Sequence, residues 1–241
     1  MSYKPQEFWD QRLSEQFDLR GTGETGLSLA YNEACYTLRR EVLDRALAEV
    51  RFEPRSRRVL DVGCGSGFWT DYYLRRGAVY TGVDISSVSV ERLSQKYPQS
   101  RFIHSDVSEV ALEERYDAVN AFDVLYHITD DARWETAVRN LAAAVSPGGL
   151  LLVTDAFSDM GRVAEHNVMR PLARYLELVA PFGFAKEWFQ PTHVLLNSDL
   201  GAFRSLNRLP GLLLALDRML LGMGVGQDGR HNRLLVARRT R

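Results

Sequence analysis

The sequence predicts an α/β fold built around a parallel β-sheet. From residue 58 onward, short apolar runs typical of buried parallel strands alternate with helical segments, and this alternation favours right-handed βαβ crossovers. Three closely spaced glycines follow the first run. Four successive runs end in an acid, namely Asp61, Asp84, Asp106 and Asp123. Because ligands of open α/β sheets bind beyond the carboxyl ends of the strands, these acids are expected to converge on one site.

The elements follow in a regular order along the chain. Two helices precede the sheet, near residues 6–18 and 29–50. The predicted strands lie near residues 58–62, 79–83, 101–104, 116–122, 149–154, 184–189 and 233–239. The helices between them are expected near residues 67–76, 86–97, 131–144 and 169–180, with a helical insertion at 199–222 before the last strand.

The glycine turn distinguishes between two kinds of nucleotide ligand. A dinucleotide turn reads Gly-x-Gly-x-x-Gly and places a pyrophosphate at a helix N-terminus. Here Gly63, Gly65 and Gly67 are evenly spaced, and Asp61 lies at the end of the preceding strand. A carboxylate there repels a pyrophosphate but suits a ligand that carries an ammonium and a sulfonium. The turn therefore predicts a nucleoside ligand with positive charge.

Three later signals have the spacing that such a site needs. Asp84 ends the second strand 84 − 61 = 23 residues after Asp61, near the roughly 20 residues that let a carboxylate reach a ribose. Asp106 ends the third strand, and the fourth strand leads through Phe122 and Asp123 into a loop with His127. The run 145–153 then contains a Pro-Gly-Gly turn followed by apolar residues.

Together these motifs, in this order over residues 58–155, resemble those of the class I S-adenosylmethionine-dependent methyltransferases. The resemblance implies a Rossmann-like seven-stranded, mostly parallel sheet with helices on both faces. It also implies an antiparallel last strand inserted between the fifth and sixth. The implied cofactor is S-adenosyl-L-methionine, the product is S-adenosyl-L-homocysteine, and no metal is expected.

The resemblance also assigns cofactor-binding residues. In the family, the acid equivalent to Asp84 holds the ribose hydroxyls, and the acid equivalent to Asp106 accepts from the adenine amino group. Either acid can alternatively serve as a helix cap, because serines follow both. The full predicted cofactor set is Asp61, Gly63, Cys64, Gly65, Gly67, Asp84, Ile85, Asp106, Val107, Phe122, Asp123 and Val124.

Two residues are candidates for the catalytic base. His127 follows the fourth strand directly, and imidazole is the side chain that titrates unperturbed near neutral pH. Asp155 follows the fifth strand and is the second candidate, either as a base or as a group that orients His127. A structural role for His127, fixing the loop, is the alternative.

Acceptor-binding residues are expected outside the nucleotide half. The N-terminal region mixes aromatic residues with glycines, as a mobile lid or an ordinary docking helix would. His166 and Arg170 are four residues apart and would share a face if helical, either as ligands or as a surface pair. The predicted acceptor-binding residues are Trp9, Tyr31, Tyr36, Tyr126, His166 and Arg170.

Composition fits one enzyme domain. The 241 residues are 45% hydrophobic and can bury a single large core, with a helical lid over 1–50, a cofactor half over 56–155 and a substrate-side half over 156–241. A net charge of −1 argues against nucleic-acid binding. The N-terminus lacks a secretory apolar core, and the run 209–221 is too short for a bilayer, which predicts a cytoplasmic protein without membrane insertion, as monomer or homodimer.

The predicted activity is methyl transfer to a hydroxyl of a small molecule, such as a natural-product or glycan precursor. Nitrogen is the second choice of acceptor, because Phe122-Asp-Val-Leu125 replaces the Asn/Asp-Pro-Pro-Tyr pattern typical of methyltransferases that act on nucleobase or amide nitrogen. Two alternatives use the same fold: transfer of another group from a related cofactor, or an inactive binding subunit.

Overall fold

A computed structural model describes residues 3–110, 112–197, 200–226 and 231–240 of the chain. The strands of its main sheet are β1 (Arg58–Val62), β2 (Val79–Asp84), β3 (Arg101–His104), β4 (Tyr116–Phe122), β5 (Val145–Asp155), β8 (Phe184–Pro191) and β9 (Arg233–Arg239). A separate two-stranded hairpin consists of β6 (Arg162–Ala164) and β7 (Asn167–Val168).

The seven strands lie in the order β3-β2-β1-β4-β5-β9-β8. The neighbours from β3 to β5 pair in parallel, whereas β9 runs antiparallel to both β5 and β8. The predicted fold is therefore confirmed, including the antiparallel last strand between the fifth and sixth strands of the sheet.

The helices are α1 (Pro5–Glu15), α2 (Leu19–Thr22), α3 (Leu29–Glu49), α4 (Phe68–Arg75), α5 (Ser87–Lys96), α6 (Asp131–Ala144), α7 (Leu172–Val179) and α8 (Pro210–Gly222). Short 3₁₀ turns cover Leu125–His127, Ala180–Phe182 and Gly201–Arg208. Of the predicted lid and insertion, residues 1, 2 and 199 lie outside the described residues.

Helices cover both faces of the sheet because side chains alternate along each strand. Leu151 and Val153 of β5 pack with α6 and α7, whereas Leu150 and Leu152 pack on the opposite face with α3 and α4. A third cluster joins α3 to α8, with Leu213 of α8 fully buried. This arrangement fixes the carboxyl ends of β1 to β4 at one edge.

Two predicted boundaries differ from the structure. β5 begins at Val145 rather than 149, and a shift in register between Tyr116 and Ala118 of β4 accommodates the Pro-Gly-Gly segment. The helix predicted from 169 begins at Leu172, so the helical condition under which His166 and Arg170 would share a face is not met. Pro171 is the reason, because the residue before a proline is disfavoured in helical conformation.

Within the described residues, no helix has both the length and the apolar character to span a bilayer. The run 209–221 instead belongs largely to α8, which packs against α3.

Candidate active site

The glycine turn between β1 and α4 has a backbone that only glycine adopts easily. Gly63 and Gly65 have φ values of +76° and +52°. A Cβ on Gly63 would lie 2.2 Å from Val124 Cγ2, and one on Gly65 would lie 2.6 Å from Thr22 Cγ2. Side chains would therefore fill the space above the turn, and glycine leaves the backbone accessible to a ligand.

Asp84 is tied to this turn by its carboxylate. Gly65 N donates to one carboxylate oxygen at 2.7 Å, and Ser86 N donates to the other at 2.8 Å. Burial raises the pKa of Asp84, while these hydrogen bonds act in the opposite direction. Each oxygen retains capacity to accept from a ligand, as two ribose hydroxyls would require.

A cavity of about 830 Å³ opens above the carboxyl ends of β1 to β4, and it is called the large cavity here. It lies at the edge where the strand order reverses beside β1, which is where open α/β sheets bind ligands. All predicted cofactor residues except Asp61 and Gly67 line it: Gly63, Cys64, Gly65, Asp84, Ile85, Asp106, Val107, Phe122, Asp123 and Val124.

Asp106 lies at the far end of the large cavity. Its carboxylate accepts from Ser108 N at 2.7 Å and pairs with Arg133 at 2.8 Å. A carboxylate has about four acceptor positions, so these contacts leave room for an amino group in the cavity. Glycine backbone, a buried acid and a second acid along one cavity fit the predicted nucleoside cofactor.

Asp61 and Gly67 flank the glycine turn but do not line the large cavity. Gly67 is the N-cap of α4. The Asp61 carboxylate is 1% exposed and accepts from the Tyr80 hydroxyl at 2.6 Å and from the Asn120 amide. Burial raises the pKa of Asp61 to about 6, although both hydrogen bonds lower it. The structure thus places Asp61 under the turn and outside the cavity wall.

The Asp61→Asn variant is expected to lose a pH dependence of stability. Because the folded-state pKa of about 6 exceeds the unfolded value, the native protein binds this proton more tightly, and its stability falls as pH rises from about 4 to 6. The neutral asparagine should gain on the order of 3 kcal/mol relative to wild type over that interval. Melting temperatures at pH 4 and 7 measure this, with Asp71→Asn on the exposed side of α4 as control. An equal Tm difference at both pH values contradicts it.

Helix α1 covers the large cavity. Asp10 fastens the helix there, because its carboxylate accepts from the Ser86 hydroxyl at 2.8 Å and the Ser87 hydroxyl at 3.2 Å. Those serines begin α5, directly after Asp84. Trp9 and several neighbouring residues of the same helix line the cavity. No sequence pattern indicated this role for Asp10, since an isolated acid on a surface helix is usually solvated.

A second cavity of about 380 Å³, called the small cavity, adjoins the large one. Trp9, Thr22, Tyr36, Asp123 and His127 line both. Tyr126 and His166 line the small cavity alone. Four of the predicted acceptor-binding residues, Trp9, Tyr36, Tyr126 and His166, thus meet beside the large cavity.

The other two predicted acceptor residues lie elsewhere. Tyr31 is fully buried between α3 and α8, in the cluster with Leu196 and Leu213. Arg170 is 6% exposed, donates to the Asp131 carboxylate at 2.8 Å and stacks over Trp134. Neither residue lines either of the two cavities.

His127 lies where the two cavities meet. Its Nδ1 is 3.0 Å from the His166 carbonyl oxygen, which only accepts, so Nδ1 carries the proton and Nε2 is unprotonated. Burial is the largest cause that lowers the His127 pKa to about 4. The ring packs edge to face on Trp9 at 5.0 Å. His127 is therefore a neutral, oriented imidazole at neutral pH.

Asp155 is fully buried and lies outside the walls of both cavities. It accepts from the Tyr175 hydroxyl of α7, and burial raises its pKa to about 6. The adjacent Thr154 points to the opposite face of β5, where it hydrogen-bonds to Asp123 at 3.1 Å. Among the described side chains, Asp155 makes no hydrogen bond to His127, so the structure does not support a role for Asp155 in orienting that ring.

Asp123 has three partners that the sequence did not reveal. Arg39 of α3 pairs with its carboxylate at 2.7 Å, and Asn232 and Thr154 donate to it at 3.0 and 3.1 Å. Its φ of +59° is the left-handed conformation that turns the chain after β4. Asp123 thereby joins α3, β5 and the approach to β9 at the junction of the cavities.

The far wall of the small cavity comes from the segment after β8. His193, Leu196 and Asn197 line it. Asp217 of α8 is fully buried and accepts from the backbone N–H groups of Val194, Leu195 and Leu196, at 3.1, 2.6 and 2.8 Å respectively. One carboxylate thus anchors this wall segment to α8.

In the part of the chain that the structure describes, no group of three or more His, Cys, Asp or Glu residues is arranged to hold a metal. Cys35 and Cys64 are buried free thiols.

A family model described as a methyltransferase domain matches residues 31–210 of the chain. The ubiquinone biosynthesis O-methyltransferase of Alkalilimnicola ehrlichii is 34% identical over 141 residues, which cover 56% of this chain and 54% of that protein. The chain thus spans about half the length of this relative.

Solved structures share the fold at low identity. N-methyltransferase NodS from Bradyrhizobium japonicum WM9, in complex with S-adenosyl-L-homocysteine, has a TM-score of 0.63 and 16% identity, covering 97% of this chain and 100% of NodS. Magnesium protoporphyrin IX methyltransferase ChlM from Synechocystis PCC 6803, with bound S-adenosylmethionine, has a TM-score of 0.63 and 17% identity, with coverages of 97% and 94%.

NodS holds S-adenosyl-L-homocysteine and ChlM holds S-adenosylmethionine, and ten of the twelve cofactor residues predicted for this chain line its large cavity. The family match covers residues 31–210, which is more than half of the chain, and the seven-stranded sheet has the strand order expected from the class I resemblance; the chain therefore belongs to the methyltransferase-domain family.

Proposed function

We propose that this enzyme methylates a hydroxyl group of a small molecule bound in the small cavity. The observation that carries the proposal is the neutral His127 imidazole, with Nε2 unprotonated, at the junction of the two cavities. The similarity to an O-methyltransferase of Alkalilimnicola ehrlichii also supports oxygen as the acceptor atom.

The large cavity holds the cofactor in this proposal. Asp84 accepts from the ribose hydroxyls, Asp106 from the adenine amino group, and the backbone at Gly63 and Gly65 allows close approach. When bound, S-adenosylmethionine supplies a methyl carbon on a positively charged sulfur. Because the two cavities share walls, an acceptor in the small cavity would lie beside the cofactor, and much of the rate would come from orientation.

His127 acts as the base. Its Nε2 would take the proton that the acceptor hydroxyl releases when the methyl group passes from sulfur to oxygen and the sulfur keeps the electron pair of the broken bond, and the Nδ1 proton would stay on the hydrogen bond to the His166 carbonyl. The resulting imidazolium then returns its proton to solvent. Trp9, which packs on the imidazole, holds the ring in place and helps α1 to exclude water from the reacting atoms.

Isothermal titration and a matched acceptor pair test this proposal. S-adenosylmethionine and S-adenosylhomocysteine are expected to bind with micromolar Kd, whereas NAD, which carries the pyrophosphate that the glycine turn disfavours, should not bind. Phenol and aniline differ only in the acceptor atom, and mass spectrometry locates the transferred methyl group. Methylation of aniline in preference to phenol would assign the enzyme to nitrogen acceptors instead.

A further inference from the structure

The far wall of the small cavity carries a second oriented histidine. His193 is 8% exposed, and its Nδ1 is 2.9 Å from Thr192 Oγ1. The Thr192 hydroxyl donates its single proton to the Asn232 carbonyl at 3.0 Å. With that proton on the Asn232 carbonyl, Thr192 Oγ1 accepts from His193, and this hydrogen-bond network assigns the His193 proton to Nδ1 and leaves Nε2 unprotonated.

Two imidazole rings that line the small cavity, those of His127 and His193, thus each have an Nε2 able to accept a hydrogen bond. Burial lowers the pKa values of His127 and His193 to about 4 and about 3, so both rings are neutral at neutral pH. A buried acceptor that meets no donor loses hydrogen-bonding energy when water leaves. A ligand that fits this wall should therefore offer two donors, one to each ring.

The charged side chains among the described residues that line the small cavity balance one another. Arg12 and Arg39 face the carboxylates Glu24 and Asp123. Arg39 is already paired with Asp123 at 2.7 Å, and Arg12 donates to the carbonyl oxygens of the segment 21–23. An anionic or cationic ligand would leave a net charge in the cavity, whereas an uncharged one would not.

Size and polarity exclude a long apolar tail. The small cavity measures about 380 Å³, near the lower end of the roughly 300–1,000 Å³ of small-molecule sites. Among the described residues of its wall, Leu196 is the only aliphatic side chain, and four asparagines are among the polar ones. A chain of many methylene groups would find little apolar surface here.

We propose that the acceptor is a compact, uncharged molecule with at least two hydroxyl groups, of which one is methylated beside His127 and another donates to Nε2 of His193. This inference rests on the proposed function and narrows it to a substrate class. His193 is then a substrate-binding residue. The shared chemistry is a ring that carries hydroxyls, either an aromatic diol or a saturated polyol.

Five probes test the substrate class on the full chain. Catechol and methyl β-D-glucoside represent the two ring types, phenol and cyclohexanol are their single-hydroxyl counterparts, and 4-dodecylcatechol adds an apolar tail. Formation of S-adenosylhomocysteine gives kcat/KM, and saturation-transfer NMR on the protein loaded with S-adenosylhomocysteine reports binding. At least one polyol should exceed its single-hydroxyl counterpart by about tenfold or more, and the dodecyl chain should reduce binding.

Variants at His193 assign the second hydrogen bond. His193→Phe should raise KM for the preferred polyol about tenfold or more, leave the Kd of S-adenosylhomocysteine unchanged, and have little effect on the single-hydroxyl probe. His193→Gln keeps an acceptor oxygen and should recover part of the loss. Equal effects of His193→Phe on both probes would overturn the role of His193.

The outcomes separate this inference from the proposed function. Intact binding of S-adenosylmethionine with no binding of either polyol, or with preference for the single-hydroxyl or dodecyl probe, would overturn the substrate class alone. Absence of S-adenosylmethionine binding would overturn the proposed function itself. The probe series uses the wild-type chain, so the inference stays testable if a His193 variant does not fold.

Discussion

Replacement of His127 with alanine is expected to reduce kcat about 10²- to 10⁴-fold, the usual contribution of a positioned base. The Kd of S-adenosylhomocysteine should change little, because in the proposed complex backbone groups, Asp84 and Asp106 hold the cofactor. Titration calorimetry and single-turnover kinetics measure the two effects separately.

The pH profile of the wild-type enzyme gives an independent check. His127 must be unprotonated to act, and burial lowers its pKa to about 4, so activity should persist down to about pH 5 and decline below it. Full activity of His127→Ala would show that His127 is not the base. Solvent would then be the expected proton acceptor, because Asp155 does not line either cavity.

Replacement of Asp84 with alanine is expected to raise the Kd of S-adenosylhomocysteine by roughly 10- to 150-fold. This corresponds to the roughly 1.5–3 kcal/mol of a hydrogen bond to a charged group, and the lost contacts to Gly65 N and Ser86 N loosen the turn as well. Titration calorimetry measures the change.

Asp71→Ala is the matched control for Asp84. It removes an exposed aspartate of α4 that pairs with Arg75, at a distance from the cavity walls. Its Kd should equal that of the wild type. An Asp84→Ala protein with wild-type melting temperature and wild-type affinity would remove Asp84 from the cofactor site.

The large cavity was predictable because its residues follow strand ends. Parallel strands bring their carboxyl ends to one edge, so Gly63, Asp84, Asp106 and Asp123 converge whatever the details of the helices. The prediction for Asp155 did not take into account that side chains alternate between the two faces of β5. Odd-numbered residues face α7, so Asp155 contacts Tyr175, whereas Thr154 faces the site.

The small cavity was only partly predictable because it depends on how helices are rotated. Tyr31 and Tyr36 are five residues apart, about 140° around α3, so only one of them can face the cavity. Tyr36 does, and Tyr31 faces α8. Arg39 and His193 were missed because an arginine within a helix and a histidine in a loop carry no local pattern that reveals a tertiary partner.

The anchoring of residues 194–196 by Asp217 has a consequence for how this enzyme can be redesigned. The described wall of the large cavity ends at Arg133 in the sequence, whereas the far wall of the small cavity comes from residues 193–197, fastened to α8. If the acceptor binds in the small cavity as proposed, libraries confined to residues 192–222 are expected to alter acceptor selectivity without changing a residue that lines the large cavity. Because Asp217 holds the backbone of residues 194–196, segment 192–222 can be exchanged between related enzymes as one unit if this aspartate is retained.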